Sequence, residues 1–530
     1  MLGLLVIVAC AVISERTKIP SALLLVSAGT VIGFLPWLPA IHVDPEIVLA
    51  GILPPLLYAA AVSMPTMNFR REFRSISRLS VMLVVASSLA LGYFFAAVIP
   101  GLELPWAIAL GAIVSPTDAV ATGIAKRLGV SPRVISILDG EGLLNDATSL
   151  VILRTAVAAV AASFSFWGAM GAFAWAVLIA GVVGWCVGWL YLKIRSRLNS
   201  PTVGTVLSLA VPFVASVPVE LLEGSGLVAA VVAGLVVSSR APRELPPEHR
   251  LTDSRNWATV ELVLESAIFL VMGLQMYGVF QVVHEQHSGV WIAVKAAGWG
   301  LLLVLAVRLV YVTLLLRRTA RRHRRWRKRW QTMDEFFQDR EAMEERFAHR
   351  KIDDPEKFWA RIRRRRADMD YYDAEPLGWR EGSVLVWAGM RGAVTVAAVQ
   401  TLPLDAPGRP VLVLVAFLIA TASLFLQGST LAVVVRLVKP AMAPDTTEER
   451  QELRQALHQA TGRAAISPED IEQRREQMMA RSQEFLSSVR AQREALLTLR
   501  DEGTFSAEVL VEQLEALDAA ELYVTLQTSS

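Results

Sequence analysis

Two aspartates stand where a carboxylate is costly. Asp118 follows Ser115-Pro116-Thr117 in a run dominated by Ala, Ile, Val and Gly, and Asp146 follows Asn145 in a run rich in Leu and Val. An ionisable side chain inside a membrane span marks a functional site by default. Pro116 has no N–H and its ring strains the preceding turn, so a helix through Ser115-Pro116-Thr117 is kinked or unwound. Unwinding frees carbonyls, that of Thr117 among them, to coordinate a cation. Backbone of this kind is tolerated at membrane depth only where it lines a cavity or is buried in protein. Asp118 adds negative charge at the break. Two such carboxylates hold either a proton or a metal cation, in competition. Hard oxygen ligands suit Na⁺, K⁺ or Li⁺. With no His or Cys beside them, a transition metal is not expected.

Spacing sorts the neighbouring polar residues. Asp139 stands seven residues before Asp146 and shares nearly the same helix face, where it would line the approach to the site. Glu141 and Asn145 are four apart and share another face. Asn145 is well placed to hydrogen-bond the freed backbone around Thr117. The alternative is that both aspartates are satisfied structural residues. Their occurrence on consecutive spans beside a proline break weighs against it.

The elements that must position these residues follow from composition. The chain has 530 residues, is 54% hydrophobic and has a mean hydropathy of +0.44, values that point to a polytopic membrane protein. Its two cysteines, Cys10 and Cys186, lie in apolar runs, so neither a disulfide framework nor a zinc cluster is expected. Met1 opens directly into a short apolar run without a basic flank, which is not the pattern of a cleavable signal peptide. A span needs about 20 mostly apolar residues. On that criterion the sequence predicts about 13 spans: 1–14, 18–36, 46–63, 77–99, 105–124, 132–160, 168–192, 201–217, 226–239, 257–275, 290–316, 381–401 and 410–437. The fold class is therefore an all-α polytopic membrane protein.

The loops set the orientation. Arg16 and Lys18 follow the first span, Arg70, Arg71, Arg74 and Arg78 the third, and Lys126, Arg127 and Arg133 the fifth. Lys193, Arg195 and Arg197 follow the seventh, and Arg240, Arg243, Arg250 and Arg255 the ninth. The alternate loops around 35–45, 100–105, 220–225 and 284–288 carry no Lys or Arg. This alternation places the N-terminus outside and the C-terminus in the cytoplasm. Residues 1–440 read as the transmembrane domain, with 317–380 as a basic cytoplasmic insertion. Arg317–Arg329, interleaved with Trp326, reads either as a solvated helix or as a contact for anionic lipid headgroups. Nucleic acid is not an expected partner. Residues 441–530 read as a cytoplasmic helical tail, with Leu486, Val489, Leu496, Val509, Leu510, Leu514 and Leu517 at helical spacing and Gly503 ending one helix.

Several stretches resemble a known family, the sodium/proton exchangers (monovalent cation/proton antiporter-1). IVSPTDAVA is similar to the family's unwound helix, LDGEGLLNDATSLV to its Asn-Asp helix and VWAGMRGAVTVAA to its second unwound helix. ILPPLLYAA and IFLVMGLQM are weaker matches. The resemblance covers roughly residues 1–440. It implies two inverted six-helix repeats, crossed unwound helices, and a homodimer in the plasma (inner) membrane. It implies exchange of Na⁺ or K⁺ for H⁺ by alternating access, without a cofactor. Carried over, Asp146 would be the principal cation and proton carboxylate. Asp118 and the Thr117 carbonyl would be further ligands, and Asn145 would support the break. An Asn rather than a second Asp before the key residue resembles the electroneutral branch. Glu141 matches a buried glutamate whose partner would be Arg308, and Arg391 matches an arginine at the second break.

Three departures bear on the cation. Ala59 follows Tyr58 where the family often has Glu, Gly142 follows Glu141 where it often has Ser, and Ala119 follows Asp118 where it usually has Pro. Two oxygens expected near the ion are thus missing, and K⁺ is a rival to Na⁺. Other rivals are a cation channel and an intramembrane aspartyl protease. The latter should carry Gly-x-Gly-Asp, where this chain has Leu143-Leu144-Asn145-Asp146.

Overall fold

The computed structural model describes residues 2–35, 44–161, 166–198, 200–285, 290–337, 362, 365, 368–369, 371–443, 486–489 and 491–492. The chain forms two compact units, Met1–Ala443 and Pro444–Ser530. In the second, the described residues are helical. Leu496, Gly503, Val509, Leu510, Leu514 and Leu517 of the expected tail lie outside the described residues.

The first unit is built of helices, and eight of those described are long and apolar enough to cross a membrane. In chain order the helices of this unit begin with α1 (Leu2–Thr17), α2 (Ser21–Gly33), α3 (Leu53–Ser63), α4 (Thr66–Ser77), α5 (Val84–Val98), α6 (Leu104–Val114), α7 (Val120–Arg127) and α8 (Pro132–Ala161). There follow α9 (Phe166–Arg195), α10 (Pro201–Leu221), α11 (Gly226–Glu244), α12 (Pro247–Glu285), α13 (Val290–Phe337), α14 (Trp379–Trp387), α15 (Ala393–Gln400) and α16 (Arg409–Val438). Single π-helical stretches, Ile47–Ile52 and Arg78–Leu83, lead into α3 and α5.

Three elements depart from the spans read from hydropathy. α4 is a polar helix that buries Glu72 and Ile76. α12 extends well beyond 257–275 at both ends, and α13 does not stop at 316. No glycine or proline stands between Leu301 and Phe337, and Leu, Arg and Lys sustain a helix whether or not it is apolar.

The helices pack as two bundles. α2 lies along α12, α3 on α11 and α12, and α9 and α10 on α11. In the other, α5 packs on α6 and α13, α6 on α8, α13 on α14 and α16, and α15 on α16. Small residues permit the closest approaches, as in lipid-embedded helices generally. A Cβ on Gly273 of α12 would stand 2.9 Å from the Cα of Gly29 on α2. α8 meets α3 and α11 across the boundary, and α12 meets α15 and α16.

Two spans of the second bundle are broken. Ser115–Ala119 separates α6 from α7, and Ala388–Gly392 separates α14 from α15. Pro116 interrupts the first; Gly389 and Gly392 flank the second. The breaks touch: the Asp118 N–H donates to the Met390 carbonyl at 2.8 Å.

Candidate cation site at the broken helices

A broken helix leaves carbonyls without partners, and here buried side chains supply them. Arg391, 2% exposed, donates from Nε to the Val114 carbonyl (3.1 Å) and from Nη2 to the Ser115 carbonyl (3.4 Å), which caps α6. It also bonds the Gly389 carbonyl. Its own N–H donates to Ser423 Oγ at 3.0 Å, and Gln427 Nε2 donates to the Trp387 carbonyl at 2.9 Å, which caps α14. One arginine and two polar residues of α16 thus hold both breaks open without orphaning their backbone.

A second network fixes the first break against α8. Arg308 of α13 grips Glu141 with both guanidinium arms, Nη1 to Oε1 at 2.5 Å and Nη2 to Oε2 at 2.9 Å. Its Nε donates to the Leu385 carbonyl at 2.9 Å. Glu141 Oε1 also accepts from Thr117 Oγ1 at 3.1 Å. Asn145 Nδ2 donates to both the carbonyl and Oγ1 of Thr117, each at 2.9 Å. The other amide atom, Asn145 Oδ1, is buried with no hydrogen-bond partner. Two residues of α8 therefore bond Thr117, and α13 braces it through Glu141.

The next residue on α8 points elsewhere. Asp146, 5% exposed, lines a cavity of about 260 Å³ together with Thr117 and Asp118. Among the described residues its carboxylate has no protein hydrogen bond or ion pair. Asp118 Oδ1 accepts from the Val120 N–H at 3.3 Å. Asp118 also lies against Gly392 so closely that a Cβ there would overlap its carboxylate. Asp139 lines the same cavity nearer Lys126, with which it forms an ion pair at 3.0 Å. Gly142 also lines it, and a Cβ there would meet nothing within 4 Å. Ala59 packs away from the cavity in a cluster with Ala147 and Trp257, while Leu56, Leu57, Ala60 and Ser63 of the same helix face the cavity.

The structure thus brings Asp118, Asp146 and Thr117 to one cavity, and ties Glu141, Arg308, Asn145 and Arg391 to the breaks behind it. It also adds two residues not anticipated as site residues. Glu261 and Glu265 of α12 line the cavity from its far side. The signal was present in VELVLESAIFL, where two carboxylates interrupt a span by the same rule that singled out Asp118 and Asp146.

Two broken helices that meet beside an acidic cavity in a helical membrane bundle define an ion carrier of the broken-helix type. Residues 3–437 match the family described as sodium/hydrogen exchanger, transmembrane, and the chain belongs to that family of multi-pass membrane transporters. It is not an enzyme, which sets the peptidase rival aside. The uncharacterized Na(+)/H(+) exchanger YjcE of Escherichia coli (strain K12) is 30% identical over 475 residues, covering 86% of this chain and 78% of the relative. The sodium, potassium, lithium and rubidium/H(+) antiporter of Bacillus pumilus (strain SAFR-032) is 29% identical over 282 residues, 51% of this chain and 42% of that one. The fold is shared with the sodium proton antiporter MjNhaP1 from Methanocaldococcus jannaschii, at a TM-score of 0.58 and 17% identity, covering 82% of this chain and 97% of that one.

Proposed function

We propose that the protein exchanges a monovalent cation, Na⁺ or K⁺, for H⁺, with the two competing at Asp146 and Asp118. One observation carries the reading. Asp146 is a buried carboxylate without a protein partner among the described residues, and it faces a cavity beside the charge and backbone of a broken helix. Such a group is neutralised by a proton or by a cation, and either satisfies it. Asp118 and the Thr117 carbonyl complete the cation's oxygen shell. Asn145 holds the break, Glu141 and Arg308 brace it, and Asp139 lines the approach. Family membership supports the exchange. The relative named for sodium, potassium, lithium and rubidium keeps both cations open.

The exchange is one cation for one proton, a reading supported by Asn145, which stands before Asp146 in place of a second carboxylate. Alternating access moves the bundle of α5–α8 and α13–α16 against the other. About 13 spans in two inverted repeats, a homodimer and a plasma-membrane location complete the proposal. The Lys and Arg distribution supports an outer N-terminus and a cytoplasmic C-terminus, and the basic stretch Arg317–Arg329 meets anionic headgroups. In proteoliposomes holding a pH gradient, Na⁺ or K⁺ should collapse the gradient. Asp146→Asn should abolish the effect and Asp118→Asn reduce it strongly. Normal exchange by Asp146→Asn would overturn the proposal.

A further inference from the structure

The cavity has two walls, and they belong to different bundles. Asp118 and Asp146 stand on the wall made by α6–α8 and the second break. The opposite wall is made by the α1–α2 turn, α3 and α12. It is apolar except for Ser21, Ser63 and two ionisable residues, Glu261 and Glu265. These two are four residues apart on α12 and so share a face. Glu265 lies within electrostatic reach of Asp118, and Glu261 within reach of Lys126 and Asp139 nearer the mouth.

The other buried acidic side chains described in this bundle pair are held. Glu72 accepts from Arg133 at 2.7 Å, Glu141 from Arg308 at 2.9 Å and Glu381 from the Ala441 N–H at 2.8 Å. Among the described residues, Glu261 and Glu265 have no protein hydrogen bond or ion pair, a condition they share with Asp146, which is buried and faces the same space. A carboxylate kept in a span without a protein partner needs a cation or a proton. The α8 wall, meanwhile, is bare at Gly142.

We propose that Glu265, approached through Glu261, is a specificity-determining ligand that the α12 wall presents to the cation shared by Asp146 and Asp118. This rests on the exchange reading above. Because the two walls belong to bundles that move against each other in that reading, Glu265 reaches the cation only while the cavity is open as in this structure. That opening faces the side where exposed Lys126 and Arg127 lie. The cation therefore binds with different affinity from the two sides of the membrane.

The test uses the full chain in membrane vesicles of both orientations, right-side-out and everted. Cation-driven collapse of a pH gradient is titrated with Na⁺ and with K⁺ on each face. Glu265→Gln is expected to raise the half-saturating cation concentration about tenfold on the Lys126 face, and less than twofold on the other, with a changed Na⁺/K⁺ ratio. The change should fall on half-saturation rather than on maximal rate, which a merely structural loss would not do. Glu265→Asp should recover part of the shift. Equal titrations on both faces, or equal shifts on both, would overturn the inference. If Glu265→Gln does not fold, Glu265→Asp and Glu261→Gln decide on the same sided readout. Asp146→Asn in parallel separates the two ideas: an active Asp146→Asn sinks the exchange reading, whereas a symmetric Glu265→Gln sinks only this one.

Discussion

Gly142 is the residue at which the cavity has most to gain. It faces the space beside Asp146, and a Cβ there would meet no atom within 4 Å. Gly142→Ser should therefore fit without displacing a neighbour, and serine is the better helix former by a few tenths of a kcal/mol. It adds a hard oxygen to the wall. The expected result is unchanged or slightly higher thermal stability, and a several-fold shift of the half-saturating concentrations toward Na⁺ over K⁺. Titrating both cations in proteoliposomes checks it. At this scale the sequence was most readable where a charge interrupts an apolar run. Asp118 and Asp146 stand out for that reason, whereas the pair of Glu141 and Arg308 follows from the family resemblance. Glu265 meets the same criterion, although span ten carries no proline break beside it. The roles of Ser423 and Gln427 were not readable, because a neutral polar residue in a span announces nothing until its partner carbonyl is known.

Elements explain why the site can exist at all. Glu141, on α8, is 2% exposed and joins Arg308 of α13 to Thr117 of the first break. Removing one member of a buried pair strands the other charge and costs about 3–5 kcal/mol, whereas replacing both with apolar residues is often neutral. Glu141→Leu alone should lower the unfolding temperature in detergent by several degrees. Glu141→Leu with Arg308→Met should recover most of that loss while exchange stays impaired, since Thr117 has lost its Glu141 acceptor. A double variant as unstable as the single one would mean the pair does more than neutralise itself. The first break was legible in Pro116, which cannot continue a helix smoothly, and the second only through the resemblance of VWAGMRGAVTVAA to the family's unwound helix, since hydropathy alone gives one span over 381–401. The polar helix α4 was not legible. It fails any hydropathy criterion, yet it forms because nothing in it breaks a helix and another segment covers it. Tyr371 and Tyr372 show this cover: Arg133 stacks on the Tyr372 ring at 4.7 Å, Arg71 on Tyr371 at 4.7 Å, and Tyr372 Oη donates to the Arg71 carbonyl at 2.7 Å. Burial, with Glu72 and Glu375 beside it, pushes the Tyr371 phenol up, so that ring stays neutral where it packs.

At the scale of the whole molecule, the loop charges on which the proposed orientation rests also bear on how the protein sits in its membrane. α13 has 48 residues, about 72 Å of helix, against a hydrocarbon core of about 30 Å. Its far end must leave the bilayer, and the departure begins where Arg317 and Arg318 follow Leu316. At about 100° per residue, Arg317, Arg318, Arg321, Arg322, Arg324 and Arg325 fall within an arc of about 160°. All six are exposed. The opposite side is occupied: His323 Nε2 lies 3.7 Å and Arg327 Nε 3.8 Å from Asp373. A solvated helix has no reason to sort its arginines this way, whereas one held against its own connecting segment on one side and headgroups on the other does. In the proposed headgroup contact the first four arginines span about 8 Å of axis, no more than a Debye length. Each is worth about 1 kcal/mol against an anionic surface. Replacing Arg317, Arg318, Arg321 and Arg322 with Gln should remove most of the thermal stabilisation that phosphatidylglycerol gives over phosphatidylcholine, and added salt should mimic the change in the wild type. If the quadruple variant keeps the full phosphatidylglycerol effect, the basic face serves something other than the membrane.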